Sequence, residues 1–195
     1  DMLIDKKIEL PTKHFVIGGE ELSIDLVRNF FALNHNKEIK ITNVYGPTEC
    51  CDVSTMYEVD REKVEQLATM PLVSIPIGYN LDHVQIYILD RYLHPVPIGT
   101  PGEIYIAGEG LSRGYINQIG LTKERFVTNP FIEGSKMYRT GDLGKRLMNG
   151  EIEYLGRIDQ QIKIRGFRIE LEEIEKQIRK FSEVKEAVVI CGEST

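Results

Sequence analysis

The sequence predicts an α/β unit, then a β-rich section, then a small α+β unit, and three observations support this prediction. A strand, a helix and a second strand follow one another over residues 13–45. Strand-like runs separated by dense Gly and Pro occupy residues 84–155. An alternating segment and an amphipathic helix then cover residues 161–181. The first pattern is typical of parallel strand pairing and the second of antiparallel sheets.

The first unit begins with a short apolar strand over residues 13–17, which ends at a Gly-Gly pair. Residues 22–33 carry apolar side chains at helical spacing, and Ser23 is the candidate N-cap. The residues with this spacing are Leu22, Leu26, Phe30 and Leu33. A second strand over residues 39–45 is broken by Gly-Pro, and the order of elements predicts that the two strands pair in parallel.

The middle section is predicted to form an antiparallel sheet or a distorted barrel. Its strand-like runs are residues 84–89, 103–107, 136–140 and 151–155. Gly and Pro residues lie between these runs at short intervals, as expected for turns that connect neighbouring strands.

The last unit follows Gly156 and starts with a strand over residues 161–165. The apolar face of the next helix is predicted to be Leu171, Ile174, Ile178 and Phe181. Two i,i+4 ion pairs are expected on its polar face, Glu172 with Lys176 and Glu175 with Arg179. A buried strand is predicted over residues 184–190.

The composition is that of a globular protein, and it excludes several classes of function. The chain has 195 residues, is 42% hydrophobic and carries a net charge of -6. The acidic balance argues against a nucleic-acid partner, and no apolar run approaches the roughly 20 residues of a membrane span. The three cysteines, two of them adjacent, do not form a disulfide framework. We therefore expect a cytoplasmic protein without a signal peptide and without nucleic-acid or membrane partners.

General phosphate and metal motifs are absent from the sequence. It has no Gly-x4-Gly-Lys-Ser/Thr loop, and Gly108, Gly110 and Gly114 miss the dinucleotide-binding spacing by one residue. The four histidines do not pair at metal-ligand spacing, and Cys50 and Cys51 have no CxxC partner. Structural roles are expected for these residues.

A candidate ligand loop follows the second strand over residues 43–49, NVYGPTE. Its Gly-Pro turn projects an aromatic ring, the Thr48 hydroxyl and the Glu49 carboxylate from one short segment. Such groups suit phosphate and Mg²⁺, because Mg²⁺ prefers one or two carboxylates together with phosphate oxygens. A turn with a solvated Glu49 is the alternative.

Three further segments carry charges that suit an anionic or ribose-containing ligand. Residues 138–143 place Asp142 after a Gly turn, where a carboxylate can accept hydrogen bonds from ribose hydroxyls or can cap its own turn. Arg157 and Asp159 either serve a site or form an exposed ion pair. The cations of residues 163–168 face either an anionic ligand or solvent.

Five strings together resemble the amino-acid adenylation domains of nonribosomal peptide synthetases, which belong to the adenylate-forming ligase superfamily. They are residues 18–20 (GGE), 43–49, 102–115 (GEIYIAGEGLSRGY), 138–143 (YRTGDL) and 156–175 (GRIDQQIKIRGFRIELEEIE). The resemblance implies that residues 1–80 end a large N-terminal α/β subdomain. It also implies a distorted antiparallel β-barrel subdomain over residues 81–157, and the hinge and start of a small α+β C-terminal lid over residues 158–195.

The resemblance implies a two-step reaction. An amino-acid carboxylate attacks the α-phosphate of ATP, which gives aminoacyl-AMP and pyrophosphate, and the acyl group then passes to the phosphopantetheine thiol of a carrier protein. The implied cofactors are ATP or AMP and Mg²⁺, with phosphopantetheine on a separate carrier domain. The implied partners are the amino acid, a peptidyl carrier protein domain and neighbouring synthetase modules.

The resemblance also assigns nucleotide-binding residues: Gly18, Gly19, Asn43, Tyr45, Asp142, Tyr154 and Arg157. The two tyrosines would pack on the adenine faces, the asparagine would reach the adenine amino edge, and the glycines would allow close backbone approach. The aspartate and the arginine would bind the ribose hydroxyls. Thr48 would contact the α-phosphate and Glu49 would hold Mg²⁺.

The resemblance further implies a hinge at Asp159 and a lid loop that contains Lys163, Arg165 and Gly166. The implied lining of the amino-acid pocket is Val16, Gly18, Val44 and either Asp52 or Val53. If Asp52 faces that pocket, a polar or cationic substrate side chain would suit it.

Some of the family's features have no match in the sequence. These are the Ser/Thr/Gly-rich phosphate loop, the acid that binds the substrate amino group and the C-terminal lysine. We therefore expect an internal segment of an adenylation domain that is inactive in isolation. A fragment of an acyl- or aryl-acid CoA ligase, or a non-catalytic nucleotide-binding or structural module, is the alternative.

Overall fold

A computed structural model describes residues 12–34, 36–72, 74–159, 161–164 and 166–192. The strands are β1 His14–Gly18, β2 Lys40–Tyr45, β3 Thr55–Val59, β4 Tyr79–Asn80, β5 Val84–Leu89, β6 Gly102–Gly108, β7 Phe126–Thr128, β8 Lys136–Arg146, β9 Ile152–Arg157, β10 Ile162–Ile164 and β11 Phe167–Ile169. The helices are α1 Ile24–Leu33, α2 Arg61–Leu67, α3 Ile119–Arg125 and α4 Leu171–Ile178, and a 3-10 turn covers Thr48–Cys50.

The first sheet has the order β1-β2-β3-β4. As predicted, β1 and β2 pair in parallel, and α1 connects them. The two other pairings are antiparallel, so the sheet is mixed. β3 and α2 are not among the predicted elements, although both contribute buried residues to the core beneath this sheet.

The cap of α1 is confirmed, and of the predicted apolar positions Leu22 is buried while Leu26 and Phe30 pack against the core. The Ser23 hydroxyl accepts a hydrogen bond from the Leu26 backbone N–H. The fully buried helix residues are Val27 and Phe31, and the predicted Leu33 is exposed. Adjacent pairs of apolar residues occur in each turn of this helix, so spacing alone fits two neighbouring faces.

The second sheet has the order β5-β6-β8-β7, with β9 also on β8, and every pairing in it is antiparallel as predicted. The prediction that a strand ends before Gly141 is wrong, because β8 continues to Arg146. Pairing registers shift between Glu103 and Tyr105 and between Asp142 and Gly144. Such an irregularity bends a strand and redirects a side chain without ending the ladder.

The two sheets meet where Gly78 bridges Ile152. The Ile77 N–H donates to the Ile152 carbonyl at 2.8 Å, and the Ile152 N–H donates to the Gly78 carbonyl at 2.9 Å. Ile77 and Ile152 are both buried in the core that underlies the second sheet. Backbone pairing and apolar burial therefore fix the first sheet against the second.

The last described elements are the β10–β11 hairpin and α4. The hairpin is antiparallel, with Ile162 opposite Ile169. The two predicted ion pairs of α4 are present, at 3.8 Å for Lys176–Glu172 and 3.7 Å for Arg179–Glu175. In the described part of the chain, no helix combines the length and the hydropathy that crossing a bilayer requires.

The apolar pattern after β11 is less buried than predicted. Leu171 is buried, but Ile174 and Ile178 are partly exposed, and Phe181 lies beyond the end of α4 and is exposed. Residues 184–190 form no strand, and Val188 and Ile190 are 82% and 80% exposed. No described strand pairs with this segment, so its backbone lacks the hydrogen-bond partner that a strand requires.

Gly78→Ala is expected to lower the free energy of unfolding by about 2 kcal/mol more than Gly99→Ala, because overpacking typically costs 1–3 kcal/mol. Both glycines have a φ of 81°, so the strain from left-handed backbone geometry is matched. A Cβ at residue 78 would lie 2.0 Å from the Met56 carbonyl oxygen, whereas one at residue 99 would have nothing within 4 Å. Urea unfolding of both variants measures the difference, and equal losses would contradict the packing described for Gly78.

Candidate functional site

A cleft of about 270 Å³ opens between the end of β2, the strands β8 and β9, and the start of the hairpin. Every predicted nucleotide-binding residue except Gly18 lines it: Gly19, Asn43, Tyr45, Asp142, Tyr154 and Arg157. Lys163 of the predicted lid loop also lines this cleft. Residues far apart in sequence thus converge on one concave site, which is the usual form of a small-molecule site.

Asp142 is the buried centre of this cleft. Its Oδ2 accepts a hydrogen bond from the Tyr45 hydroxyl at 2.6 Å, and its Oδ1 accepts one from Arg157 Nη1 at 2.7 Å. Burial raises the pKa of Asp142, while the Tyr45 hydrogen bond and the Arg157 charge oppose that rise. A carboxylate has about four acceptor positions, so these two donors leave room for a ligand's hydroxyl groups.

Arg157 connects Asp142 to the predicted hinge. Its Nε and Nη2 bind the two carboxylate oxygens of Asp159 at 2.6 and 2.7 Å. Arg125 of α3 reaches the same carboxylate at 3.7 Å. Burial favours the neutral acid, but the hydrogen bonds and charge of Arg157 outweigh it and lower the pKa of Asp159. The residue predicted as a hinge is therefore held between two arginines.

Gly141 allows this arrangement to form. Its φ is 75°, and a Cβ there would lie 2.8 Å from Arg157 Nη2 and 2.9 Å from Asp159 Oδ2. Any side chain at this position would displace the guanidinium group or the carboxylate. The Gly-Asp pair of the predicted turn is thus explained by a close approach inside a strand.

Two tyrosine rings border the cleft. The ring centroids of Tyr45 and Tyr154 are 6.1 Å apart, and the ring planes are inclined by 42°. Burial raises the pKa of both phenols, so both stay protonated and Tyr45 acts as a hydrogen-bond donor to Asp142. The rings supply apolar faces beside a buried carboxylate.

Asn43 is buried with its amide group fixed in place. Its Nδ2 donates to the carbonyl oxygens of Ile75 and Pro76 at 3.2 and 2.9 Å. Gly18 lies behind the cleft, where a Cβ would be 2.6 Å from the Val44 carbonyl oxygen. A glycine is therefore required at residue 18 for β1 to approach β2 closely.

The residues predicted for the amino-acid pocket lie only in part along this cleft. Val44 lines the cleft, whereas Val16, Asp52 and Val53 do not. Val16 and Asp52 are exposed and Val53 is half-buried. Asp52 has a φ of 64°, and its carbonyl oxygen would lie 2.6 Å from a Cβ at Gly46.

A second polar cluster forms around Glu49, outside the residues that line the cleft. Glu49 Oε1 accepts hydrogen bonds from the Tyr115 hydroxyl at 2.6 Å and from Arg168 Nη1 at 2.8 Å. Its Oε2 is buried without a hydrogen-bond partner among the described residues. Burial raises the pKa of Glu49, but Tyr115 and Arg168 reverse this effect and the net shift is downward. Thr48, which precedes Glu49, is exposed.

Sequence reasoning assigned no function to Tyr115 and did not place Arg168 at Glu49. Both residues lie in strings that had been singled out, at residues 102–115 and 156–175. The Tyr115 hydroxyl is also 3.2 Å from that of Tyr138. Their position in these two motifs is a sequence signal for a functional role, but it does not reveal which side chains are in contact.

The hairpin carries the remaining predicted lid residues. The Gly166 backbone N–H donates to Glu20 Oε1 at 2.7 Å, and Lys163 lines the cleft. Arg165 was also predicted for this loop and lies outside the described residues. In the described part of the chain, no three His, Cys, Asp or Glu residues come together as a metal-binding group.

Comparison with known proteins establishes the family. The sequence profile described as "AMP-binding: AMP-binding enzyme" matches residues 4–116, more than half of the chain. The chain belongs to the AMP-binding enzyme family. The chain is 47% identical over 190 residues to bacitracin synthase 1 of Bacillus licheniformis, and the match covers 97% of the chain but 4% of the relative. Tyrocidine synthase 3 of Brevibacillus parabrevis is 47% identical over 178 residues, which are 91% of the chain and 3% of that relative.

Solved structures show the same fold. PA1221, described as an NRPS protein containing adenylation and PCP domains, matches with a TM-score of 0.77 and 27% identity, over 93% of this chain and 36% of that one. A fused adenylation-PCP di-domain from Klebsiella oxytoca matches with a TM-score of 0.76 and 29% identity, over 94% and 33%. The predicted resemblance and fold class are confirmed, and the chain corresponds to a segment of an adenylation domain.

Tyr45→Phe is expected to lower the free energy of unfolding by about 2 kcal/mol, because it removes a hydrogen bond to a buried charged group. The exposed Tyr79, whose hydroxyl is 3.2 Å from the Asn149 carbonyl oxygen, offers a matched control. Tyr79→Phe should change stability by less than about 0.5 kcal/mol. Urea unfolding measures both, and a Tyr45→Phe loss as small as that of the control would show that the hydroxyl does not support Asp142.

The stabilising contribution of Glu49 is expected to disappear in acid. The pKa of the folded Glu49 lies below its ordinary value of 4.5, so its contribution is full above pH 4.5 and is lost as pH falls through the folded pKa. Unfolding free energies of the wild type and Glu49→Gln should therefore differ most at neutral pH and converge below pH 4.5. A difference in unfolding free energy that stays constant or widens in acid would contradict this prediction.

Proposed function

We propose that this chain is the part of an amino-acid-activating adenylation domain that holds the adenosine end of ATP and of the adenylate product. The proposed reaction joins an amino-acid carboxylate to the α-phosphate of ATP with release of pyrophosphate. The acyl group then passes to the phosphopantetheine thiol of a carrier protein. The similarity to named peptide synthases and to adenylation-PCP proteins supports this function over a CoA ligase.

The position of Asp142 is the observation that carries the proposal. Its carboxylate lies in the cleft, is charged beside Arg157, and keeps acceptor positions free after binding Tyr45 and Arg157. Two vicinal ribose hydroxyls can donate hydrogen bonds to such a carboxylate. Hydrogen bonds to a charged acceptor are stronger than those between neutral groups. We assign ribose binding to Asp142 and Arg157.

The base would lie beside the tyrosines. Tyr45 and Tyr154 offer ring faces at the border of the cleft, and aromatic packing on a nucleobase is favourable for any base. Asn43 lines the same cleft with an amide fixed in orientation, and we assign it to the adenine amino edge. The backbone at Gly19, which lines the cleft, would allow the adenine to approach closely, whereas Gly18 would act indirectly by letting β1 approach β2.

The phosphates would extend toward Thr48 and Glu49. Thr48 is exposed and free to contact the α-phosphate. Mg²⁺ fits Glu49, because the Oε2 atom is buried without a hydrogen-bond partner and Mg²⁺ prefers one or two carboxylates plus phosphate oxygens. A bound Mg²⁺ would neutralise phosphate charge.

Assignment of the chain to an adenylation domain also leads us to propose its structural parts and its partners. We propose an α/β part over residues 1–80, a β-barrel-like part over 81–157, and a hinge and lid over 158–195 with Asp159 at the hinge. Lys163, Arg165 and Gly166 would belong to the lid loop, which would serve the carrier-protein step.

The amino-acid pocket would draw on Val16, Gly18, Val44, Asp52 and Val53. The domain would act with a carrier protein domain inside a multi-module synthetase. We expect no ATP–pyrophosphate exchange by the 195-residue chain, because its sequence contains no Ser/Thr/Gly-rich phosphate loop.

Calorimetry with AMP tests the ribose assignment. Asp142→Asn should weaken AMP binding roughly tenfold or more, because it removes charge-assisted hydrogen bonds of about 1.5–3 kcal/mol. The exposed Asp82→Asn is the matched control and should bind as the wild type does. Circular dichroism checks that Asp142→Asn remains folded.

The nucleotide itself supplies the second control. The wild type should bind AMP more tightly than 2′,3′-dideoxy-AMP, and this preference should be much smaller in Asp142→Asn, where only Arg157 keeps its charge beside the ribose. Tyr154→Leu should weaken both nucleotides equally, because it removes ring packing and leaves the ribose contacts. Absence of AMP binding by the wild type, or ribose discrimination as large in Asp142→Asn as in the wild type, would overturn the assignment.

A further inference from the structure

The β10–β11 hairpin is attached to the first part of the chain by two described side-chain contacts. Arg168 of β11 binds Glu49, which is 119 residues earlier in the sequence. The Gly166 N–H binds the Glu20 carboxylate, which is 146 residues earlier. Both acceptors are carboxylates of the first part of the chain, so both contacts depend on negative charge there.

The Glu49–Arg168 contact is the stronger of the two. The Glu49 side chain is 9% exposed and that of Arg168 is 39% exposed, whereas the Gly166–Glu20 contact is on the surface. Glu170 binds Arg168 Nε at 2.8 Å and keeps the guanidinium group pointed toward Glu49. Surface contacts contribute little on their own, so the docked position depends chiefly on Arg168.

The Glu49 carboxylate carries a single negative charge. Arg168 neutralises it through Oε1, while Oε2 is buried without a hydrogen-bond partner in the described residues. A divalent cation at Oε2 would lie beside the guanidinium group on the same carboxylate, in a half-buried place where like charges repel strongly. The carboxylate therefore accommodates one of the two cations well, and both together poorly.

We propose that Arg168 and a divalent cation compete for the Glu49 carboxylate, so that metal binding releases the β10–β11 hairpin and hairpin docking weakens metal binding. This inference rests on the proposed assignment of Glu49 as the metal-holding residue. The coupling must be reciprocal, because each cation changes the affinity of the other by the same factor. Release of the hairpin would also withdraw Lys163 from the cleft, so the charge facing a nucleotide would change with the metal.

Titration with Mn²⁺ alone, followed by electron paramagnetic resonance, tests the competition without any nucleotide. Arg168→Ala should bind Mn²⁺ roughly tenfold more tightly than the wild type, within the usual range of coupling between sites. Arg168→Lys keeps the charge and should restore weak binding. Arg179→Ala removes an arginine that pairs only with Glu175 among the described acids, and it should match the wild type. Glu49→Gln should abolish the gain when combined with Arg168→Ala.

Hydrogen exchange provides the readout of docking. Saturating Mn²⁺ should increase amide exchange in peptides covering residues 161–169 of the wild type and should have no effect in Glu49→Gln. Equal Mn²⁺ affinity in the wild type and Arg168→Ala, no Mn²⁺ binding to either, or unchanged exchange would overturn the competition. AMP binding through Asp142 is measured separately, so the competition and the nucleotide assignment can fail independently.

Discussion

The buried contact between Asp142 and Arg157 is the interaction on which the cleft depends. It joins β8 to β9, receives Tyr45 from β2 and continues through Arg157 to Asp159, where the chain leaves the second sheet. A buried ion pair adds little stability by itself, but loss of one partner leaves an uncompensated charge that costs about 3–5 kcal/mol. The pair therefore fixes the geometry of the site, and apolar packing of the two cores holds the fold.

Backbone irregularity makes this contact possible. The register shift between Asp142 and Gly144 lets β8 continue while its side chains are redirected toward the cleft. Gly141 leaves space for the guanidinium group that binds the carboxylate. The constraint is steric as well as electrostatic, which explains why a glycine directly precedes the acid in a segment that otherwise reads as an ordinary strand.

Local patterns in the sequence predicted most of the fold, and the errors have physical causes. Strand and helix periods located β1, α1, β2 and the antiparallel strands, but they could not centre the buried face of α1 where apolar residues are adjacent. An apolar run predicted a strand over residues 184–190, although a strand also needs a partner. The cleft residues were predicted from strings that resemble a known family, whereas the contacts of Glu49 with Tyr115 and Arg168 span 66 and 119 residues and leave no local pattern.

A crystal structure of the chain with AMP tests the role of the cleft most directly. We expect the ribose hydroxyls within hydrogen-bond distance of the Asp142 carboxylate and the adenine against the rings of Tyr45 and Tyr154. The Asp142–Arg157 contact should remain, because it holds the acceptor charged and in place. AMP bound elsewhere, or a ribose directed to solvent while Asp142 contacts only Tyr45 and Arg157, would contradict this assignment.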